Sequence, residues 1–256
     1  MDYAFEIKRE TFDAISAGYK TALLVPINNR TLNIGKDDIL TLSTYDSTEW
    51  SLTKRVSAVR IIDDIRKEFD SLNLLKCGYT PFTLYEASPD DLMSRCGIDR
   101  RKTKVIAVEL KEEPLQRFIA GQSGAMPDCS SYDTALAEIR SGVKVTHWIW
   151  YVLPQIKGLT RDRVTEYYAL NGYEEAVEYL NHPILGLRIK AITSELMKLK
   201  SNDPVSVFGM GDSFKLRASM TLFSIIAPDI SLFENAIDKF CMGIKDRSTI
   251  LMLNNN

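Results

Sequence analysis

The apolar residues of this chain change their period once. Up to about residue 113 they alternate in short runs, and beyond residue 131 they recur three and four apart. Alternation places every second side chain on one face of a strand, whereas three-four spacing collects side chains on one face of a helix. The blocks follow one another, which predicts an α+β protein of two domains. Residues 1–113 form a small β-barrel domain, and residues 114–256 form a mostly α-helical domain.

The strand candidates are Phe5–Lys8, Lys20–Ile27, Ile39–Tyr45, Arg55–Ile62 and Lys104–Leu110. Such short strands with little helix between them suggest a small barrel. Thr11 is positioned to cap a helix that runs to Ala17 and closes at Gly18. Ser88-Pro89-Asp90-Asp91 starts another, with a capping hydroxyl, proline at the first helical position and acids in the first turn. Residues 114–130 are rich in Pro, Gly and Ser, so the boundary is placed near Glu113. Beyond it, helices are expected at Tyr132–Ser141 (between Ser131 and Gly142), Thr160–Leu170, Glu174–Leu180, Leu185–Leu199, from Asp212 as N-cap to Ala227, Phe233–Met242 and Ser248–Leu253. A frayed tail, Asn254–Asn256, follows.

Composition excludes several classes. A net charge of −2 over 256 residues gives no overall basic excess for tight, non-specific binding to a nucleic-acid backbone. The four cysteines are scattered without a CxxC pair, and there are only two histidines, so structural zinc is set aside and reduced thiols are expected. No signal-like apolar core and no run long enough to span a bilayer are present, which points to a cytoplasmic protein without membrane contact. Nothing calls for a resident cofactor or metal. No G-x-S-x-G elbow and no paired acidic cluster stands out.

The most unusual stretch is His147–Gln155, HWIWYVLPQ, with an imidazole, two indoles, a phenol and a carboxamide in nine residues. In an extended segment Trp148 and Trp150 share a face and His147 takes the other. An indole face stacks a nucleobase, an imidazole donates to phosphate or moves a proton, and Gln155 reads a base edge. A second stretch begins at Gly209-x-Gly211-Asp212. It opens a helix carrying Lys215, Arg217, Ser219 and Thr221, with free N–H groups and cations suited to an anion. Lys215 and Ser219, four apart, share a helical face. The plainer alternatives are tryptophans in the core and ordinary capping by Asp212. His182-Pro183 reads as a helix terminator.

Two resemblances add to this. Gly18-x-Lys20-Thr21, Asn29-Arg30 and Gly35-x-Asp37-x-Ile39-x-x-Leu42 resemble the ASCH domain, a relative of the PUA-like RNA-binding barrels. That resemblance implies a PUA-like barrel over most of residues 3–112, with Lys20 and Thr21 as binding residues. The family pattern reads G-x-K-T-x-E-x-R, and here Leu23 and Val25 stand at the acidic and basic positions. The departure implies a degenerate nucleotide-binding or scaffolding role rather than catalysis.

The second half resembles a bacterial domain family of unknown function that genomes often label calpastatin. The matching residues include Arg117-Phe118, Gln122, Glu138-Ile139, Gly142-x-Lys144, His147-Trp148-x-Trp150-x-x-x-Pro154-Gln155, Gly158-Leu159, Tyr179-Leu180-x-His182-Pro183, Phe208-Gly209-x-x-Asp212 and Lys215-Leu216-x-x-Ser219-Met220-Thr221-Leu222-Phe223. Where that family has a serine shortly after the Gly-Leu pair, this chain has Arg161-Asp162-Arg163.

The expected function is binding, by the helical domain, of a small nucleotide-derived ligand of the ADP-ribose or cyclic-nucleotide kind, to sequester or sense it. Trp148 or Trp150 would stack the base, Gln155 would read its edge, Lys215 and Arg217 would hold phosphate, and Thr221 would be a further ligand-binding residue. Two other classes compete. One is a hydrolase or transferase using His147 with Asp212 or Ser219. The other is an RNA-directed protein that reads through the barrel. The single-site idea in the helical domain carries one geometric expectation, that folding brings His147–Gln155 against the start of the Asp212 helix.

Overall fold

The computed structural model describes residues 1–45 and 47–254, so the last two residues of the expected tail lie outside the described residues. The chain divides into two compact units, residues 1–116 and 117–256. The architecture is α+β: an N-terminal five-stranded sheet and a mostly helical C-terminal part.

In the first unit the strands are β1 (Asp2–Ile7), β2 (Ala22–Pro26), β3 (Ile39–Thr44), β4 (Ser47–Ile62) and β5 (Val105–Leu110), in the order β1-β3-β4-β5-β2. β1 runs parallel to β3, and the other neighbours are antiparallel. The sheet is open, with β1 and β2 at its two edges, where the sequence predicts a barrel. β4 is 16 residues long because its first half pairs with β3 and its second with β5.

β2 and β5 are apolar on both faces. Ala22, Leu24, Val105 and Ala107 join one core with Tyr79, Leu92 and Met93, while Leu23, Ile106, Val108 and Leu110 join another with Ile15, Leu40 and Leu42. Burial on both sides accounts for the unbroken apolar run at Ala22–Val25. α1 (Arg9–Ala17) begins after Lys8 rather than at Thr11, and ends at Gly18 in the left-handed region, as its glycine predicts. In α2 (Pro89–Arg95), Ser88 Oγ accepts from Asp91 N at 3.1 Å.

The helical unit comprises α3 (Gln116–Ser123, its first residue in the preceding unit), α4 (Tyr132–Ser141), α5 (Ile149–Val152), α6 (Arg163–Tyr168), α7 (Tyr173–Asn181), α8 (Leu185–Lys198), α9 (Pro204–Ile226), α10 (Ser231–Cys241) and α11 (Arg247–Asn254). α9 is its axis: α5, α7, α10 and α11 all pack against it. Within it Leu216, Met220, Leu222 and Phe223 are buried. The sequence predicts this helix from Asp212, but its cap is Asp203, whose carboxylate accepts from Val205 N at 2.9 Å and Ser206 N at 3.1 Å. Two helical segments then meet at Gly209, whose φ of 75° and ψ of 167° are non-helical. That conformation is available essentially to glycine alone, which is why the chain can break here without ending the helix. Asp212 therefore lies in the first turn of the second segment, not at a cap.

Four cysteines are free, and no helix among the described residues is long and apolar enough to cross a membrane.

Candidate functional site

The two stretches singled out in the sequence meet in the helical unit. Lys144, just before HWIWYVLPQ, donates its backbone N–H to Val207 O at 2.7 Å, and Trp148 packs edge-on against Phe208 with ring centroids 6.2 Å apart. Both partners sit in the first segment of α9. Past the Gly209 break, Asp212 takes Lys144 Nζ on one carboxylate oxygen and Lys215 Nζ on the other, each at 2.7 Å. Burial pushes the Asp212 carboxyl up, but the two lysines outweigh it and hold it below the usual carboxylate range.

The aromatic run is not extended. Ile149–Val152 closes one helical turn, so Trp148 and Trp150 point in different directions. Trp148 is fully buried, and its indole N–H donates to Glu138 Oε2 at 2.7 Å, so it belongs to the core and offers no face to a ligand. Trp150 is half-buried. His147, exposed, lies 6.2 Å from it at an interplanar angle of 26°, and Lys215 Nζ stands 5.3 Å from its ring centroid. An imidazole and an ammonium thus flank one indole, with a second cation, Lys144, shared through Asp212.

Glu138, on α4, organises the loop that leads there. Its carboxylate accepts from Val145 N at 2.8 Å, from Thr146 N at 3.1 Å, from Thr146 Oγ1 at 2.7 Å and from Trp148. Burial raises its pKa, the hydrogen bonds lower it, and the hydrogen bonds win. Sequence reasoning had no role for Glu138. Its position seven to ten residues before its partners carries no local signal.

The remaining candidates are dispersed. Arg217 points away from Lys215: it stacks on Phe214 at 5.6 Å and approaches Asp246 Oδ1 at 3.8 Å. Two residues apart on a helix is about 200° of rotation, so the two cations cannot clamp one phosphate from the same side. Ser219 and Thr221 are fully buried in α9, and Thr221 Oγ1 accepts from Asp246 N at 2.9 Å. Gln155 is buried, with its carboxamide oxygen unpartnered among the described residues. His182 Nδ1 accepts from Ile184 N at 3.2 Å and Leu185 N at 3.3 Å, and so caps the start of α8. Among the described residues no group of three or more His, Cys, Asp or Glu is placed to hold a metal ion.

The sheet unit has a cavity of its own, about 350 Å³, lined by Phe5, Leu23 and Val25 of the two edge strands and by Lys8 and Lys20 outside them. Lys20 is buried, and its ammonium donates to Cys77 O, while burial pushes the Cys77 thiol up to about 11. Thr21 is drawn outward by a 3.0 Å hydrogen bond to Glu112. Arg30 stands over the Phe5 ring at 5.3 Å.

Residues 112–253 match the family described as Protein of unknown function (DUF1810), and the chain belongs to that family. Among solved structures it is similar to the conserved hypothetical protein Rv1873 from Mycobacterium tuberculosis. That match has 32% identity and a TM-score of 0.51, covering 55% of this chain and 96% of that one. The hypothetical protein PH0355 matches with 15% identity and a TM-score of 0.34, over 44% of this chain and 100% of that one. No curated protein matches.

Proposed function

We propose that the helical unit binds a small nucleotide-type ligand, of the ADP-ribose or cyclic-nucleotide kind, at the surface where His147, Trp150 and Lys215 meet. One observation carries the reading: a half-buried indole flanked by an exposed imidazole and an ammonium. A nucleotide offers a flat base for the indole and an anionic phosphate for Lys215, with Lys144 adding positive charge behind it. A stacked base contributes roughly 1–3 kcal/mol. Of the two sequence candidates for stacking, only Trp150 has any exposed surface, so the base is assigned to it. Calorimetric titration with ADP-ribose and with cyclic AMP tests the idea. Saturable binding that weakens at least tenfold in Trp150→Ala supports it, and no binding of either nucleotide to the wild-type chain sinks it.

A second reading concerns the sheet unit, which we propose, on its sequence resemblance to ASCH domains, as a reader of RNA or of a nucleotide end. The cavity lined by Lys8 and Lys20 favours it. The apolar Leu23 and Val25 in the same wall replace the charged pair of that family's pattern, so binding there would rest on shape and on the two lysines rather than on catalysis. The enzymatic alternative, with His147 acting on the bound nucleotide, keeps His147 and Asp212 but loses Ser219, which has no route to a ligand from inside α9.

A further inference from the structure

The face of α9 opposite Lys215 lines a different cavity. Met210, Ser213, Phe214 and Arg217 recur at helical spacing and, with Met242 and Ile244 beyond the end of α10 and Val205 at the start of α9, surround about 460 Å³. That volume is within the range of small-molecule sites. Its walls are apolar, and Met210, Phe214, Met242 and Ile244 are all exposed.

The polar groups of this cavity differ in how far they are committed. Asp203 spends its carboxylate on the N-terminal amides of α9. Lys239 Nζ donates to Met197 O at 2.8 Å and to Leu199 O. Arg217 is the exception. Its Nε is buried and has no hydrogen-bond partner among the described residues, and its terminal nitrogen stops 3.8 Å short of Asp246 Oδ1. The other Asp246 oxygen already accepts from Thr249 N at 2.7 Å and Thr249 Oγ1 at 2.8 Å. A guanidinium stacked on Phe214, with its Nε donor unspent, at the wall of an apolar cavity has the chemistry to take an oxyanion.

We propose that this cavity is a second binding site, for a small amphiphilic carboxylate: one anionic head against Arg217 and an apolar body along Phe214, Met210 and Met242. The chemistry of the site selects within the anions. Arg217 is half-neutralised by Asp246 at 3.8 Å and Lys239 has given its donors to two carbonyls, so with Asp203 also close by the site suits a monoanion better than the multiply charged phosphates of a nucleotide. The apolar walls reject a ribose. A carboxylate matches the planar fork and leaves the body of the ligand in contact with thioether and aromatic surface. The site is independent of the nucleotide reading, because it uses the opposite face of the helix and none of the same residues.

The test is calorimetric titration of the full chain with decanoate below its micelle concentration, alongside the neutral analogue decanol. Saturable one-to-one binding of decanoate is expected, at least tenfold tighter than decanol. In Arg217→Gln decanoate should weaken at least tenfold while decanol is little changed, and Arg217→Lys should fall between. Met242→Glu changes an exposed residue at the cavity rim and should also weaken decanoate tenfold by repulsion, so the test survives if the Arg217 variant folds poorly. Four results would overturn the proposal. They are an absence of saturable binding up to millimolar decanoate, equal binding of decanoate and decanol, binding indifferent to both variants, and a concentration-dependent dimer in light scattering that Met242→Glu abolishes. The last would make the face a contact between copies of this chain.

Discussion

Lys215 and Arg217, two residues apart in α9, face opposite ways: Lys215 stands over Trp150 and holds Asp212, while Arg217 stacks on Phe214 and approaches Asp246. The pair reads in the sequence as one cationic patch and is two. Lys215→Ala is therefore expected to lower nucleotide affinity about tenfold by itself. Its stability cost should stay below about 1 kcal/mol, because the ion pair is partly exposed and Asp212 keeps Lys144. Calorimetry and thermal melting of the one variant check both halves. A large loss of stability would mean that Lys215 is structural.

Trp148 and Trp150 separate core from site. Trp148→Ala removes a fully buried indole and leaves Glu138 short of a partner, at a cost of about 3–5 kcal/mol. Trp150→Ala should cost clearly less and act on binding. Denaturant melts of the two variants measure the difference, and equal losses would place both rings in the core.

Acid should destabilise the helical unit through its paired carboxylates, Glu138, Asp212 and Glu175 among them. Glu138 and Asp212 both have folded pKa values held below their ordinary 4.5 and 3.8. Each binds protons less readily folded than unfolded, so its stabilisation is present above those values and drains away as pH falls through the folded pKa. Melting temperature against pH is expected to drop below about pH 4.5. Glu138→Gln should flatten that limb while lowering stability at neutral pH. A variant with an unchanged acid limb would rule out Glu138 as a contributor.

Gly209 is expected to resist substitution for reasons of backbone alone. A Cβ there would meet nothing within 4 Å, so no clash competes with the conformational argument. Gly209→Ala should still cost roughly 1–3 kcal/mol, since φ of 75° with ψ of 167° is hostile to any side chain. Chemical denaturation checks this. A neutral effect would mean that the two segments of α9 can rejoin as one straight helix.

For the sheet unit the expected result is weak RNA binding. If it binds at all, affinity should fall steeply with salt, and Lys8→Ala, which removes an exposed cation of the cavity, should reduce it. Filter binding at several salt concentrations decides. Sub-micromolar affinity at physiological salt would raise this reading above the nucleotide one.

Local signals carried much of the fold. Ser131 and Gly142 bracket α4 as their chemistry predicts, with Ser131 Oγ accepting from Thr134 N at 3.1 Å, and Ser88-Pro89 starts α2. What local signals miss has tertiary causes. The first half of β4 alternates only at Trp50 and Leu52 among polar residues, too short a run to stand out, and is a strand because β3 supplies the ladder. The four-residue α5 hides in an aromatic run whose composition favours strands. The opening turns of α9 are concealed by the glycines that follow them. Of the candidate site, the two stretches stood out by their residue types, while their meeting was an assumption that the packing of Trp150 and Lys215 supplies. The orientation of Trp148 was not legible, because its partners, Glu138, Phe208 and Lys144, are set by tertiary packing.

The break at Gly209 has a mechanical meaning. The segment beyond it carries Lys215 on one side and Arg217 on the other, so a tilt about that one position would move both faces together. Linkage then requires reciprocity: whatever factor decanoate imposes on the nucleotide's dissociation constant, the nucleotide must impose on decanoate's. Two titrations, each ligand with and without the other at saturation, would read that factor. A value of one would mean that the pivot is rigid.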